Sequence, residues 1–214
     1  MYRAVADRVA VDLASLSVPL TQEQMREILE SLHFKFLFPR IIEDLRKCAP
    51  VVQYTKPART HGAPTFADCS SILKWAFGCS GIYLPRRSIQ QREYGQRVPF
   101  EQIRPLDLVF TDSEGHNYFI DDPDDGVGHV GVYTPQNTVI HLNGTGLVEE
   151  PLSRLLARRE FRGATRIIQG SLLSLMVLQI PPSHDIESDD DLKWLLLQWL
   201  PKIFAAQKSA NMNA

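Results

Sequence analysis

The sequence lacks several features that would place the protein in a specialised class. No run of about 18 consecutive apolar residues occurs, so we expect no ordinary membrane-spanning helix. The three cysteines include no Cys-x-x-Cys pair, which argues against a disulfide framework and against a structural zinc site. The net charge is -2 at pH 7, and without a basic excess nucleic acid is not the expected partner. No internal repeat is apparent.

The amino-acid composition is that of an ordinary folded protein. Of the 214 residues, 44% are hydrophobic and 22% are charged, values that are typical of globular domains. A chain of this length can form one sizeable hydrophobic core and still carry an extension.

One cysteine stands at the predicted start of an amphipathic helix. Cys69 and the apolar residues at positions 72, 73, 76 and 77 recur at helical spacing, which places them on one face. Gly78 suits the position just past the helix end. Since a helix N-terminus lowers the pKa of a thiol, Cys69 is a candidate nucleophile. The alternative is that Cys69 is a small residue of the core.

The segment before this helix is predicted to be mainly helical. Residues 1–16 show a weak helical pattern, and Thr21 and Gln24 form a capping box for a helix that reaches about residue 33. We interpret residues 1–38 as an N-terminal helical extension that covers an apolar surface. Docking of a substrate or partner is the alternative. A further helix is expected over residues 40–48.

The C-terminal segment, residues 170–214, is predicted to be a linker followed by an amphipathic helix. An acidic run precedes residues 192–200, and acidic side chains stabilise the first turn of a helix. We expect this helix to pack on the domain. The alternative is an anchor for a partner or a membrane surface, but the flanking acids suit an anionic membrane poorly.

From Val98 onward the pattern is typical of strands, including a hairpin that carries two histidines. Residues 128–133 and 137–142 read as strands joined at Thr134-Pro135-Gln136. If the loop centres on Pro135, residue numbers of paired residues sum to 270, and His129 lies directly opposite His141. Directly paired residues project from the same face of a sheet.

Two histidines facing a cysteine would supply what a thiol nucleophile needs. If the Cys69 helix packs on that face, His129 could act as the base and His141 could orient it. The backbone N–H of Cys69 would be a natural oxyanion donor. The alternative is a metal pair, which needs a third ligand such as Asp107 or Cys69. Because no HxH or HExxH spacing supports a metal, we expect no metal and no cofactor. The remaining histidines, His33, His61, His116 and His184, are assigned surface roles.

Five stretches of this chain follow one another in the order seen in a known family. They are residues 66–71 (Phe-Ala-Asp-Cys-Ser-Ser), 84–86 (Leu-Pro-Arg), 105–110 (Pro-Leu-Asp-Leu-Val-Phe), 128–133 (Gly-His-Val-Gly-Val-Tyr) and 139–141 (Val-Ile-His). Together they resemble the NlpC/P60 family of cysteine peptidases, which have a papain-like fold and act mostly on bacterial cell-wall peptides. Residues 149–152 (Glu-Glu-Pro-Leu) look like the family's closing segment.

The resemblance implies an α+β fold in which the helix bearing the cysteine packs on an antiparallel sheet. Residues 39–169 would form the catalytic domain. Cys69 would be the nucleophile, His129 the base and His141 the third polar residue.

The resemblance also implies a set of substrate-binding residues. Asp68 and Ser70 would border the site, with Asp68 either pairing with a free amine of the substrate or capping the helix. Tyr54 is the candidate for the family's upstream tyrosine, whose hydroxyl borders the oxyanion site.

Three departures from the family pattern leave the catalytic groups in place and bear on the substrate. Ser71 stands where the family has a small residue, usually glycine, and Leu106 replaces the glycine of a Pro-Gly-Asp segment. The acidic insertion at residues 112–128 is longer than typical and is expected to overhang the cleft.

The leading hypothesis is therefore a cysteine endopeptidase or amidase that acts on peptidoglycan stem peptides or muropeptides. The rivals are a non-catalytic binding module on the same fold and an enzyme that transfers or hydrolyses a different acyl group. The first residues are too charged for a secretory signal, so we expect a protein that is cytoplasmic as given or exported to the cell wall by a non-standard route.

Overall fold

The structure, a computed structural model, describes residues 2–113, 126–170 and 174–201, and these divide into two compact units. The smaller unit comprises the described residues within Met1–Pro39, Ser80–Ile82 and Leu172–Ala214, and the larger unit those within Arg40–Cys79 and Tyr83–Ser171. Most of the acidic insertion, with His116, lies outside the described residues.

The smaller unit contains a three-stranded antiparallel sheet and two helices. The strands are β1 (Arg8–Asp12), β2 (Lys35–Leu37) and β11 (Leu175–Gln179), in the order β1-β11-β2, and the helices are α1 (Gln22–Ser31) and α6 (Asp189–Leu197). The central strand, β11, thus comes from the other end of the chain. Apolar residues of both helices and of all three strands form one core.

The helical pattern predicted for residues 1–16 is wrong, because Arg8–Asp12 forms strand β1. Val9 and Val11 are buried, and so is Ala10 between them, which means that both faces of the segment are covered. A helix would bury only one stripe, whereas valine fits a strand enclosed on both sides. Pairing with β11 settles the choice, and that contact cannot be seen from local spacing.

The two helices of this unit agree with their predictions. The capping box of α1 is complete, since Thr21 N–H donates to Gln24 Oε1 at 2.9 Å and Gln24 N–H donates to Thr21 Oγ1 at 3.1 Å. Helix α6 buries Leu192, Leu195 and Leu196 in the core that α1 shares, while its packing on the catalytic domain stays a prediction. The segment before it, predicted to be a linker, contains strand β11. Within the described ranges, no helix combines the length and apolar character that a membrane span requires.

The larger unit confirms the α+β fold class. Its six-stranded antiparallel sheet has the order β5-β10-β6-β7-β8-β9. The strands are β5 (Gln96–Val98), β6 (Leu108–Thr111), β7 (His129–Tyr133), β8 (Thr138–Asn143), β9 (Gly146–Pro151) and β10 (Phe161–Arg166). The helices are α2 (Ile41–Cys48), α3 (Cys69–Cys79), α4 (Ser88–Tyr94) and α5 (Leu152–Leu156), and a parallel pair is formed by β3 (Gln53–Tyr54) and β4 (Phe66–Ala67). Helix α3 packs on β7 and β8, which brings the cysteine helix to the histidine strands.

Two backbone details refine the sequence-based predictions. Helix α3 continues to Cys79, so Gly78 lies inside it and does not mark its end. Leu106, which replaces a glycine of the family pattern, has a φ of 70°. That is the left-handed region, where glycine is favoured and a larger residue is strained. The turn before β6 therefore has a glycine-like conformation without a glycine.

Candidate active site

Cys69 is the first residue of α3, and the residue before it caps the helix. Asp68 Oδ1 accepts a hydrogen bond from Ser71 N–H at 2.9 Å, while Ser71 Oγ accepts one from Asp68 N–H at 2.8 Å. This reciprocal pair satisfies two backbone donors at the helix start. The capping role that was one alternative for Asp68 is thus present, and it fixes the backbone from which the half-buried Cys69 side chain projects.

Arg86 holds the same carboxylate from the opposite side. Its Nη1 donates to Asp68 Oδ1 at 3.0 Å and its Nη2 donates to Oδ2, which is the two-pronged geometry that suits a guanidinium and a carboxylate. Ser70 Oγ donates to Asp68 Oδ1 at 3.1 Å. Burial by itself would raise the pKa of Asp68, but hydrogen bonds from Arg86 and Ser71 outweigh it and hold that pKa below its ordinary value. Asp68 is therefore an ionised group inside a network.

Tyr54 lies on the strand beside the segment that leads into the cysteine helix. It belongs to β3 and pairs with Ala67 of β4, the strand that leads into α3. Burial raises the pKa of Tyr54, and the nearby negative charges that Cys69 and Asp68 can carry raise it further. The tyrosine is consequently protonated at neutral pH and can donate a hydrogen bond.

The hairpin has a different register from the predicted one. Val132 pairs with Ile140 and Tyr133 with Val139, so the paired numbers sum to 272 and not to 270. The loop is longer than expected, because Thr134 N–H donates to Thr138 O and Asn137 adopts a left-handed φ of 60°. His129 and His141 are therefore diagonal neighbours instead of directly opposed. An even sum keeps them on the same face, within reach of each other.

The two imidazoles are hydrogen-bonded at the centre of this face. His129 Nε2 and His141 Nδ1 are 2.9 Å apart, and the rings are perpendicular with centroids 4.9 Å apart. Gly131 makes room for this arrangement. A Cβ at position 131 would lie 2.4 Å from Val139 Cγ1 and 3.0 Å from His141 Cβ, which is closer than packed atoms approach.

A carboxylate that was not predicted from the sequence extends the chain of hydrogen bonds from the two imidazoles. Glu150 Oε1 lies 2.8 Å from His141 Nε2, and Arg158 donates to both Glu150 oxygens, at 2.6 and 2.9 Å. Residues 149–152 were recognised only as a family-like segment. The signal that could have revealed Glu150 is the alternation of strand β9, in which Glu149 and Glu150 must point to opposite faces.

The hydrogen bonds determine where the ring protons lie. Arg158 is the main cause that lowers the pKa of Glu150, to about 2, so this carboxylate is ionised and can only accept. His141 must then carry its proton on Nε2, which leaves Nδ1 as an acceptor. His129 in turn carries its proton on Nε2 and presents Nδ1 as a lone pair, the form that can accept a proton.

Burial favours the uncharged forms of both Cys69 and His129. Burial raises the pKa of the Cys69 thiol to about 11, although a hydrogen bond with the backbone of Val130 and the charge of Lys56 act in the opposite direction. Burial also lowers the pKa of His129 to about 3. The expectation of a thiol with a lowered pKa is therefore wrong, because desolvation outweighs the helix N-terminus. The contact with Val130, which follows His129, places the sulfur beside the start of β7.

The predicted site residues lie in one unit, around the start of α3 and the sheet face on which it packs. The described parts of the chain contain no group of three or more His, Cys, Asp or Glu side chains that could hold a metal ion. The arrangement joins a thiol at a helix start to a hydrogen-bonded line of two imidazoles, a carboxylate and a guanidinium.

Comparison with known proteins matches this region to one family. Residues 58–166, about half of the chain, match the NlpC/P60 family model. The probable endopeptidase p60 of Listeria innocua is 36% identical over 84 residues, which is 39% of this chain and 16% of that protein. The γ-DL-glutamyl hydrolase of Bacillus subtilis is 36% identical over 67 residues, 31% of this chain and 14% of that protein. The chain thus matches only a small part of the length of these relatives.

A solved structure of an NLP/P60 family protein from Staphylococcus aureus, described as similar to lipoprotein, covers 72% of this chain and 44% of its own, at 23% identity and a TM-score of 0.49. The family match covers the cysteine helix, the histidine hairpin and the glutamate strand together. The chain belongs to the NlpC/P60 family.

Proposed function

We propose that this protein is a cysteine endopeptidase or amidase that hydrolyses an amide bond in peptidoglycan stem peptides or related muropeptides. The observation that carries the proposal is the bond between His129 Nε2 and His141 Nδ1, which leaves His129 Nδ1 as an acceptor for the Cys69 thiol. The substrate class is supported by the names of the relatives, which include endopeptidases and a bifunctional muramidase/DL-endopeptidase of Bacillus subtilis.

The first half of the reaction forms a thioester. Cys69 Sγ attacks the carbonyl carbon of the scissile amide while His129 Nδ1 takes the thiol proton. Because both groups are uncharged at rest, the proton moves as the carbon–sulfur bond forms. The imidazolium that results donates to His141, which keeps its orientation.

The oxyanion of the tetrahedral intermediate needs hydrogen-bond donors. The backbone N–H of Cys69 is at the first position of α3, where a helix has no internal acceptor for it. We assign the Tyr54 hydroxyl as the second donor, since its raised pKa keeps its proton in place.

The second half releases both products. His129 passes its proton to the amine nitrogen, the carbon–nitrogen bond breaks, and the acyl group remains on Cys69 as a thioester. Water then attacks the thioester while His129 takes a proton from it, and the carboxylic acid leaves as the thiol is restored.

Asp68 and Ser70 are proposed to border the substrate, as the family resemblance implies. The oxygens of Asp68 already accept hydrogen bonds from Arg86, Ser70 and Ser71. An amine of the substrate would therefore share this carboxylate with Arg86 instead of finding it unoccupied.

The test is digestion of purified muropeptides by the full chain, with the products identified by mass. Cys69→Ala should lower the hydrolysis rate by roughly 10⁴ or more, since a nucleophile and its base act as a unit. Cys79→Ala, at the other end of α3, is the matched control and should keep the rate.

Hydrolysis that persists in Cys69→Ala would exclude this mechanism. Wild-type protein that binds muropeptides without cleaving them would be a binding module. Cleavage confined to other amides would point to the alternative acyl substrate.

A further inference from the structure

We propose that Glu150 and Arg158 are positioning residues of this hydrolase, and that they select the ring tautomer of His129 through His141. The proposal rests on the function proposed above, because it concerns the same proton transfer. It adds two residues that touch neither the substrate nor the thiol. They determine which group donates in the hydrogen bond between His141 and Glu150 and in the one between His129 and His141.

Burial is the first argument. The side chain of Glu150 is 7% exposed and that of His141 is 1% exposed, so their 2.8 Å contact is shielded from water. A buried carboxylate is costly unless it is paired and hydrogen-bonded. Arg158 supplies two hydrogen bonds to it, whereas Arg154, with a 74% exposed side chain, approaches only to 3.6 Å. The pair is thus a specific arrangement and not a loose surface contact.

The chemistry of the acceptor is the second argument. An ionised carboxylate can only accept, so His141 Nε2 must donate to Glu150 and His129 Nε2 must donate to His141. A neutral amide in the same place could donate or accept and would permit the opposite direction. In that opposite case, His129 would carry its proton on Nδ1 and could not accept one from the thiol.

The neighbouring strand position offers a built-in control. Glu149 is bound by Arg46 through two hydrogen bonds, at 2.8 and 2.9 Å, so it forms a similar glutamate–arginine pair. Glu149 pairs with Ile140 across the strands, whereas Glu150 pairs with Val139, so the two glutamates point to opposite faces of the sheet. The two pairs therefore differ in one contact, because the Glu150 pair is hydrogen-bonded to a histidine, His141, and the Glu149 pair, among the described residues, is not.

The experiment compares Glu150→Gln with Glu149→Gln in the full chain, with a muropeptide that the wild type hydrolyses. We expect Glu150→Gln to lower kcat by roughly tenfold to a hundredfold, the loss typical of a partner that orients a functional histidine, with little change in KM. Glu149→Gln should keep kcat. Arg158→Gln, compared with Arg46→Gln, should show the same contrast with a smaller loss.

A spectroscopic measurement separates positioning from a purely structural role. Nitrogen NMR shifts of the two imidazoles report which ring nitrogen carries the proton. The wild type should show the Nε2–H form for both rings, and Glu150→Gln should show a mixture or the reversed form. This measurement needs no substrate, so it decides the positioning role even if muropeptides prove not to be hydrolysed.

The pH profile gives a further readout. Burial is the main cause that lowers the pKa of both histidines, and Glu150 raises both. Arg158 and Arg159 also lower the pKa of His141, and His141, Arg159 and Lys56 lower that of His129. Glu150→Gln removes the raising charge, so the acid limb of kcat/KM should move to lower pH.

Unchanged tautomers together with an unchanged kcat in Glu150→Gln would overturn the proposal. If that variant loses its fold, judged by its amide NMR spectrum, kcat of Arg158→Gln decides: a loss that Arg46→Gln does not show supports the proposal, and equal kcat in the two variants overturns it.

Discussion

Two carboxylate–arginine pairs stand at the two sides of the candidate site, and they differ in what they hold. Asp68 and Arg86 hold the start of the cysteine helix, through backbone and hydroxyl groups within three residues of Asp68. Glu150 and Arg158 hold the proton acceptor, through two imidazoles carried by neighbouring strands. The first pair therefore fixes a position, and the second fixes a direction of hydrogen bonding.

The exposure of the two arginines reflects this difference. The Arg86 side chain is 26% exposed and also donates to Ala58 O, so it is partly buried and tied to a second segment. The Arg158 side chain is 47% exposed. We expect the first pair to contribute more to stability and the second more to turnover, and substitutions can separate the two contributions.

The largest expected effect is that of Arg86→Gln. It leaves the Asp68 carboxylate without its cation, and breaking a largely buried pair in this way costs about 3 kcal/mol of unfolding free energy. Urea denaturation measures the loss. Arg158→Gln should cost less unfolding free energy, because the Arg158 side chain is 47% exposed and His141 still contacts Glu150. Equal losses of stability in the two variants would contradict the comparison.

The next effect is that of Gly131→Ala, which disturbs the packing around the two histidines without changing a polar group. The added methyl group must displace Val139 or His141, and overpacking of this kind costs about 2 kcal/mol. We expect kcat to fall as well, because the histidine bond is stretched, and NMR of the ring protons would record it. The double variant Gly131→Ala/Val139→Ala should recover part of the stability, and no recovery would argue against this clash.

The smallest effect, taken per pH unit, is the slope of the unfolding free energy with pH, which separates the histidines from the carboxylates. The pKa of His129 is lowered to about 3, so the unfolded chain takes up its proton first, near pH 6.5. Unfolding free energy is therefore complete above pH 6.5 and falls on acidification by up to about 1.4 kcal/mol per pH unit from this group. The pKa of Asp68 and that of Glu150 are lowered too, and their contribution is lost only below about pH 4.5.

Thermal or urea unfolding of His129→Asn between pH 7 and pH 4.5 checks this. The variant should show a flatter slope than the wild type in that window, and the difference should persist down to about pH 3, where folded His129 takes up its proton. An unchanged slope between pH 7 and pH 4.5 would mean that His129 is not buried in its neutral form.

The same contrast explains how much could be predicted from the sequence. The cap of α3 depends on Asp68 and Ser71, three residues apart, and such local geometry can be read from spacing. The shared face of His129 and His141 was also predictable, since the parity of a hairpin is the same for a register of 270 or 272. The register itself was not, because it depends on Asn137 adopting a left-handed conformation.

Contacts between segments that lie far apart in the sequence could not be predicted. The role of Glu150 depends on the alignment of β9 with β8, and no local pattern gives that register. Strand β1 was predicted as helix for a similar reason, since its partner β11 lies near the other end of the chain. The pKa of Cys69 was predicted in the wrong direction because spacing reveals the helix terminus but not how deeply it is buried.

The order of strands in the smaller unit also has a consequence for synthesis on the ribosome. Its middle strand, β11, is made last, so β1 and β2 leave the exit tunnel with no strand between them. At about 5–20 residues per second, β1 waits roughly ten to thirty seconds for its partner. During that interval, β1 lacks its hydrogen-bonding partner, and Val9 and Val11 lack the apolar cover that Leu178 and α6 later supply.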